Sequence, residues 1–258
     1  MLLDNITTYL NKLFNPKKAS IWDHVGYQFE YKKLENINIS NVLICLDLTN
    51  ECLDFAINNK IELIITRHPF IFNELKIEKK NPVKKQMIKK LNKHKILVFS
   101  IHTNYDSSIN QNLVDILKTK LNITLFKKFG KDKESNIFYL DKKITINDLV
   151  NNLKEIFNLD HIRLNKQINL KTNIKSFYLT SGSGASSMVE NFLTDCVFVT
   201  GEVKWDQWIY ANSNNVNLIE IGHYAENHFI NDLKNKLETQ FKDLKIISYD
   251  IKNQFIEK

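Results

Sequence analysis

With 258 residues, 43% of them hydrophobic and 25% charged, the chain has the composition of a folded soluble protein with a large core, in one large domain or two smaller lobes. Its net charge of +7 comes from scattered lysines such as Lys17-Lys18, Lys79-Lys80, Lys84-Lys85, Lys89-Lys90 and Lys127-Lys128. These form a solvated surface and not an aromatic-interleaved stripe, which argues against nucleic acid as the partner. No apolar run approaches the ~18 residues of a membrane span, and the N-terminal stretch has no h-region or cleavage site, so the expectation is a soluble, cytoplasmic protein.

Glycine (6) and proline (3) are scarce, which predicts mostly regular structure. After an amphipathic helix at the N-terminus, apolar runs of strand length alternate with helical patterns. The spacing predicts a strand over 41–48, a helix over 51–58 and a strand over 61–66. A helix over 82–93, a strand over 96–101 and a helix over 112–121 follow. The alternation resumes with a strand over 137–140, a helix over 146–157, strands over 161–164 and 174–180, and a helix over 187–193. It closes with strands over 196–200, 217–221 and 244–249 and helices over 204–212 and 226–241. Unbroken Ile/Leu/Val/Phe runs are strands buried on both faces, so the fold class is α/β with parallel or mixed sheets covered by helices. The charged stretch Phe126-Lys127-Lys128-Phe129-Gly130-Lys131-Asp132-Lys133-Glu134-Ser135 reads as a boundary. It separates an N-terminal lobe (1–125) from a C-terminal lobe (126–258), with the last helix and strand able to pack back on the first lobe. Cys45, Cys52 and Cys196 are odd in number and lack a CxxC pattern; Cys45 and Cys196 lie in strand-like runs and are expected to be buried thiols.

Three histidines stand out. His68, His102 and His223 each follow directly on a predicted strand, and ligands of open α/β sheets bind beyond the carboxyl ends of the strands. Asp106 lies four residues after His102 and Glu226 three after His223, spacings that let two side chains reach one point from a turn. Imidazoles and carboxylates together are ligands for a divalent metal of the zinc, iron or manganese kind. His24, His94, His161 and His228 lack such settings and read as surface or packing residues. The Ser181-Gly182-Ser183-Gly184-Ala185-Ser186 loop follows a strand and precedes a helix, so its amides could face an anion; Ser183 and Gly184 are candidate substrate contacts.

These segments resemble the GTP cyclohydrolase I type 2 homologue family, or NIF-three-like proteins. The likeness lies in Trp22-Asp23-His24-Val25-Gly26-Tyr27-Gln28, Leu46-Asp47-Leu48-Thr49, Thr66-Arg67-His68-Pro69 and His102-Thr103-Asn104-Tyr105-Asp106. It continues in the Ser-Gly-Ser-Gly loop, in Thr200-Gly201-Glu202 and in Gly222-His223-Tyr224-Ala225-Glu226, so the motifs span nearly the whole chain in order. The resemblance implies a two-lobed α/β subunit, a homo-oligomer that is often a hexameric ring, and a two-metal site between the lobes. It assigns His68, Asp106, His223 and Glu226 as metal ligands and His102 as either a ligand or a neighbouring acid/base. The family name implies a metal-dependent hydrolase of a nucleotide, in which cation-activated water opens the guanine ring and His102 shuttles protons.

The chain departs from the family at two places. Arg67 stands where the family has the first His of a pair, and Val203-Lys204-Trp205-Asp206 stands where the family tends to carry histidines. A guanidinium stays protonated and offers only donors, so it cannot ligate a metal. One metal is therefore expected in preference to two or none. Arg67 would pair with Asp106 or Glu226, or clamp a substrate phosphate. The alternative function is a metal- or nucleotide-binding regulator or scaffold without turnover.

Overall fold

The computed structural model describes residues 1–29, 34–108, 111–251 and 254–255. The strands run β1 (Gly26–Tyr27), β2 (Asn41–Cys45), β3 (Leu63–Thr66), β4 (Leu97–Ser100), β5 (Ile123–Phe129) and β6 (Ser135–Thr145). They continue as β7 (Arg163–Leu164), β8 (Asn173–Thr180), β9 (Val197–Thr200), β10 (Asn217–Glu220) and β11 (Lys245–Tyr249). The helices are α1 (Leu3–Leu13), α2 (Asn50–Asn58), α3 (Leu75–Glu78), α4 (Pro82–His94) and α5 (Thr103–Asp106). After them come α6 (Gln111–Lys118), α7 (Ile146–Phe157), α8 (Ser186–Glu190), α9 (Trp205–Ser213) and α10 (His228–Gln240). The fold is mixed α/β with two sheets, one in each of two units: Met1–Ser108 with Asn227–Lys258, and Ile109–Glu226.

In the first unit the sheet order is β1-β4-β3-β2-β11, with β4, β3, β2 and β11 parallel and β1 antiparallel to β4. The strands read as continuous apolar runs because alternate residues serve different cores. Val42, Ile44, Leu63 and Ile65 pack with residues of α1 and α10, while Leu43, Cys45, Ile64 and Val98 pack with residues of α2 and α4. A one-residue slip would exchange the two faces, so register is fixed by burial. Truncating one of the leucines or isoleucines among these side chains to alanine costs roughly 2–5 kcal/mol.

In the second unit the order is β5-β6-β8-β9-β10-β7, with β8, β9 and β10 parallel and the flanking pairs antiparallel. Val197, Val199 and Ile219 face one core; Phe198 and Leu218 face another. Helix α7 spans the predicted residues because its ends are chemically marked. Thr145 Oγ1 accepts from Asp148 N at 3.0 Å, Asp148 accepts from Thr145 N at 3.0 Å, and Asn158 closes the helix in the left-handed conformation.

The expected boundary between residues 125 and 126 is corrected: it falls inside β5, and the units divide after Ser108 and again after Glu226. The lysine-rich stretch forms a hairpin, with β5 pairing β6 across a turn at Gly130 (φ +89°). As a half-exposed edge strand, β5 carries lysines where a central strand carries apolar residues, which hid it from a search for apolar runs. Helix α10 and strand β11 belong to the first unit, where β11 pairs with β2. Among the described residues no helix is long and apolar enough to cross a membrane.

Candidate metal centre

In the first unit β2, β3 and β4 are adjacent and parallel, so the segments after them, carrying Asp47, His68 and His102, leave the same end of the sheet. The ladder continues beyond the strands: Arg67 N and His68 N donate to Cys45 O (3.0 Å) and Leu46 O (2.9 Å), and Ile101 N donates to Thr66 O (2.9 Å). His68 Nδ1 lies 3.0 Å from Asp47 Oδ1, and His102 Nδ1 lies 2.9 Å from Asp23 Oδ1. A carboxylate at Nδ1 fixes the tautomer with its proton there, so ligation or base chemistry falls to Nε2. The Asp23 carboxylate is fully buried and also accepts from Thr103 N (3.0 Å) and the Thr103 hydroxyl. Burial alone would raise its pKa; the bonds from His102 and Thr103 outweigh this and hold the carboxyl below its ordinary range. The His68 and His102 rings stand edge to face, centroids 5.4 Å apart.

Arg67 does not reach out to a substrate. It is 1% exposed, and its Nη2 lies 2.7 Å from both Asp106 oxygens while Nη1 donates to the His102 carbonyl. Its guanidinium carbon sits 5.3 Å from the Tyr105 ring centroid and 5.9 Å from that of Phe229. Of the sequence expectations, pairing with Asp106 is the geometry found; the phosphate clamp is corrected because the cation is enclosed. Asp106, expected as a metal ligand, is committed to this ion pair. Tyr105 in turn donates to Asp232 at 2.9 Å, so burial and Asp232 push its hydroxyl pKa well up.

In the second unit β8, β9 and β10 repeat the arrangement, and their ends carry Gly182, Glu202 and His223. Glu202 N donates to Gly182 O at 3.0 Å, and Ile221 N to Thr200 O at 2.9 Å. His223 lies between two carboxylates, with Nδ1 3.1 Å from Glu202 Oε1 and Nε2 3.2 Å from Glu226 Oε2. The three-residue spacing works because His223–Asn227 is a turn of 3-10 helix. Glu226 is buried. Gly182 has φ +57°, and a Cβ there would come within 2.8 Å of Glu226 Oε1; one on Gly201 would come within 2.7 Å of Gly182 O. The close approach of this loop to the His223–Glu226 pair therefore requires glycine.

The predicted phosphate cradle takes a different form. The Ser183 hydroxyl donates to Glu202, Gly184 packs against the Thr180 side chain, and α8 has five residues with no side-chain cap. Ser183 therefore steadies the carboxylate behind His223. Glu220, absent from the sequence reading, is buried at the end of β10, where it accepts from Arg163 Nη2 (2.7 Å) and Val203 N (3.1 Å). Burial raises its pKa against the lowering effect of Arg163. The thiols stand apart from this chemistry: a hydrogen bond with Cys52 and burial push Cys45 well up, and burial pushes Cys196 to about 12.

His68 in the first unit, and His223 with Glu226 in the second, are donors of the kind a divalent cation takes, each offering one ligand atom. The donor chemistry fits zinc, iron or manganese. Sequence reasoning missed the carboxylates behind the rings, Asp23, Asp47 and Glu202. All three lie inside motifs already singled out, Trp22-Asp23, Leu46-Asp47 and Thr200-Gly201-Glu202. By contrast, His24 Nδ1 meets only a backbone carbonyl, that of Ile71 at 3.3 Å.

The fold and these residues define a two-sheet α/β protein with carboxylate-backed imidazoles at its strand ends. The chain belongs to the Duf34/NIF3 (NGG1p interacting factor 3) family, whose model matches residues 1–254. It is 29% identical over 245 residues to the GTP cyclohydrolase 1 type 2 homolog of Mycoplasmopsis pulmonis, covering 92% of this chain and 93% of that one. It is 30% identical over 243 residues to the homolog of the same name from Campylobacter jejuni, covering 91% and 93%. A hypothetical protein of Staphylococcus aureus shares the fold with a TM-score of 0.83 at 22% identity, covering 100% of this chain and 99% of the other.

Proposed function

We propose that His68, His223 and Glu226 hold one divalent cation (zinc, iron or manganese), and that the protein is a metal-dependent hydrolase of a nucleotide or other phosphate-bearing substrate. The observation that carries this reading is the carboxylate on Nδ1 of His68, His102 and His223. Metal-ligating and proton-transferring imidazoles need this support, and outer carboxylates of this kind tune both affinity and tautomer. A bound cation supplies a Lewis acid and lowers the pKa of water. Asp47 and Glu202 orient the ligand rings, and Asp23 holds His102 so that Nε2 accepts or delivers a proton. Arg67 neutralises Asp106 and repels a second cation, which favours one metal over two. The names of the relatives support GTP cyclohydrolase-like chemistry; a homo-oligomer, often a hexameric ring, is what the family resemblance alone implies.

A second reading, a metal- or nucleotide-binding regulator without turnover, is favoured by the same Arg67–Asp106 pair, because chemistry that needs two cations would fail here. The deciding experiment incubates the protein, loaded with Zn, Mn or Fe, with GTP and follows ring-opened product. The hydrolase reading expects turnover that His68→Ala abolishes. Binding of metal and nucleotide without product selects the regulator, and a gain of both a second metal and activity in Arg67→His identifies a weakened enzyme.

A further inference from the structure

Trp22 and Phe72 are held in place by the fold but little used by its cores. Trp22 is 61% exposed and Phe72 44% exposed, and neither joins the hydrophobic clusters of the described residues. Both backbones are nevertheless pinned. Asp23, next to Trp22, bonds His102 and Thr103, and Ser20 N donates to Thr103 Oγ1 at 2.9 Å. Phe72 N donates to the buried carboxylate of Glu78 at 3.1 Å, and Ile71 N donates to Gln28 Oε1 at 2.9 Å. The two rings converge on one imidazole: Trp22 lies 5.8 Å from the His102 ring centroid at 74°, and Phe72 lies 6.0 Å from it at 85°.

We infer that Trp22, Phe72 and His102 form a recognition slot for the planar heteroaromatic ring of the substrate, a nucleobase. This deepens the reading above and rests on it for the role of His102. Exposed aromatic rings carried on pinned backbones beside His102 suit a flat π-system, since the less of the site that must be ordered on binding, the less stacking costs. The Nε2 edge of His102, with Nδ1 taken by Asp23, supplies a directional contact to a ring nitrogen or carbonyl. Two apolar rings framing one polar group is the make-up of a small-ligand pocket, whereas a self-association surface needs about 800 Å² per partner. The slot brings the ring beside the group proposed to move protons, which a sugar phosphate lacking a base would not need.

The test uses the full-length, metal-loaded chain carrying Trp205→Phe and Trp208→Phe, which leaves Trp22 as the sole indole of the three tryptophans. Trp22 emission is followed against guanosine monophosphate, inosine and ribose 5-phosphate. The first two should quench it and the third should not. In the otherwise native chain, Trp22→Ala and Phe72→Ala should each weaken guanosine monophosphate binding about tenfold or more by calorimetry, with metal content unchanged. Ribose 5-phosphate binding as tightly as guanosine monophosphate, or full affinity in both variants, would overturn the slot and leave the phosphate reading standing. Emission that follows protein concentration instead of ligand would assign these rings to a second copy and also overturn it. Inosine binding by protein that retains no metal supports the slot while removing the metal reading. Retained metal with no binding of any of the three does the reverse.

Discussion

Replacing Arg67 with methionine removes the cation and keeps most of the buried stem. It takes the guanidinium from the Asp106 carboxylate and a donor from the His102 carbonyl. Breaking a buried pair by deleting one partner costs about 3–5 kcal/mol. Asp106 keeps 15% exposure and therefore some hydration, which places the expected loss near the lower end, about 3 kcal/mol. For a chain of this size that corresponds to a fall in Tm of roughly 6–12 °C. The double variant Arg67→Met with Asp106→Leu removes both charges and should recover most of the loss. Arg67→Lys keeps the charge but loses the planar fork, and should fall between the two. Thermal and urea unfolding followed by circular dichroism give the three values. A loss below about 0.5 kcal/mol in the single variant, or a double variant no more stable than the single, would refute the argument that this pair is an enclosed structural cation site.

Asp47→Asn and Glu202→Gln should each lower metal affinity about 10- to 100-fold while the fold persists, measured by competition with a chelating dye; unchanged affinity would remove their orienting role. Gly182→Ala should cost about 1–2 kcal/mol from its positive φ and displace the Glu226 carboxylate, so that metal retention drops with stability; retention at the wild-type level would contradict the close-approach argument. Glu78 gives a pH signature. Burial raises its pKa, but Lys84 and Asn73 outweigh that and hold it below the ordinary carboxylate range. Because the folded-state value is depressed, its contribution is present above the unfolded value, about 4.5, and disappears as pH falls through the folded one. Glu78→Gln should therefore be destabilised at neutral pH, with the gap to wild type closing in unfolding curves as the pH falls below the unfolded value, about 4.5; a gap that widens on acidification would contradict the assignment.

What was legible in the sequence follows from how each element is buried. Strands β2, β3 and β9 announce themselves because both faces are covered, so no polar residue interrupts the run. Strand β5 does not, since this edge strand with a wet face sets Lys127 and Lys128 between Phe126 and Phe129, and the expected boundary fell inside it. The histidines were legible as strand-end residues. Their partners were not: Asp23 meets His102 across 79 residues and Asp47 meets His68 across 21, distances that topology alone bridges. Arg67 shows the limit most clearly. Its charge was plain, but whether it turned outward to a substrate or inward to Asp106 depended on packing by Tyr105 and Phe229, residues whose nearness only the fold creates.

The central claim is a single cation held by His68, His223 and Glu226, and metal analysis after loading and desalting tests it most directly. The account predicts one equivalent of Zn, Mn or Fe retained per chain, lost in His68→Ala, His223→Ala and Glu226→Gln and kept in Asp106→Asn. No retained metal, two equivalents, or equal retention in those three variants would contradict it.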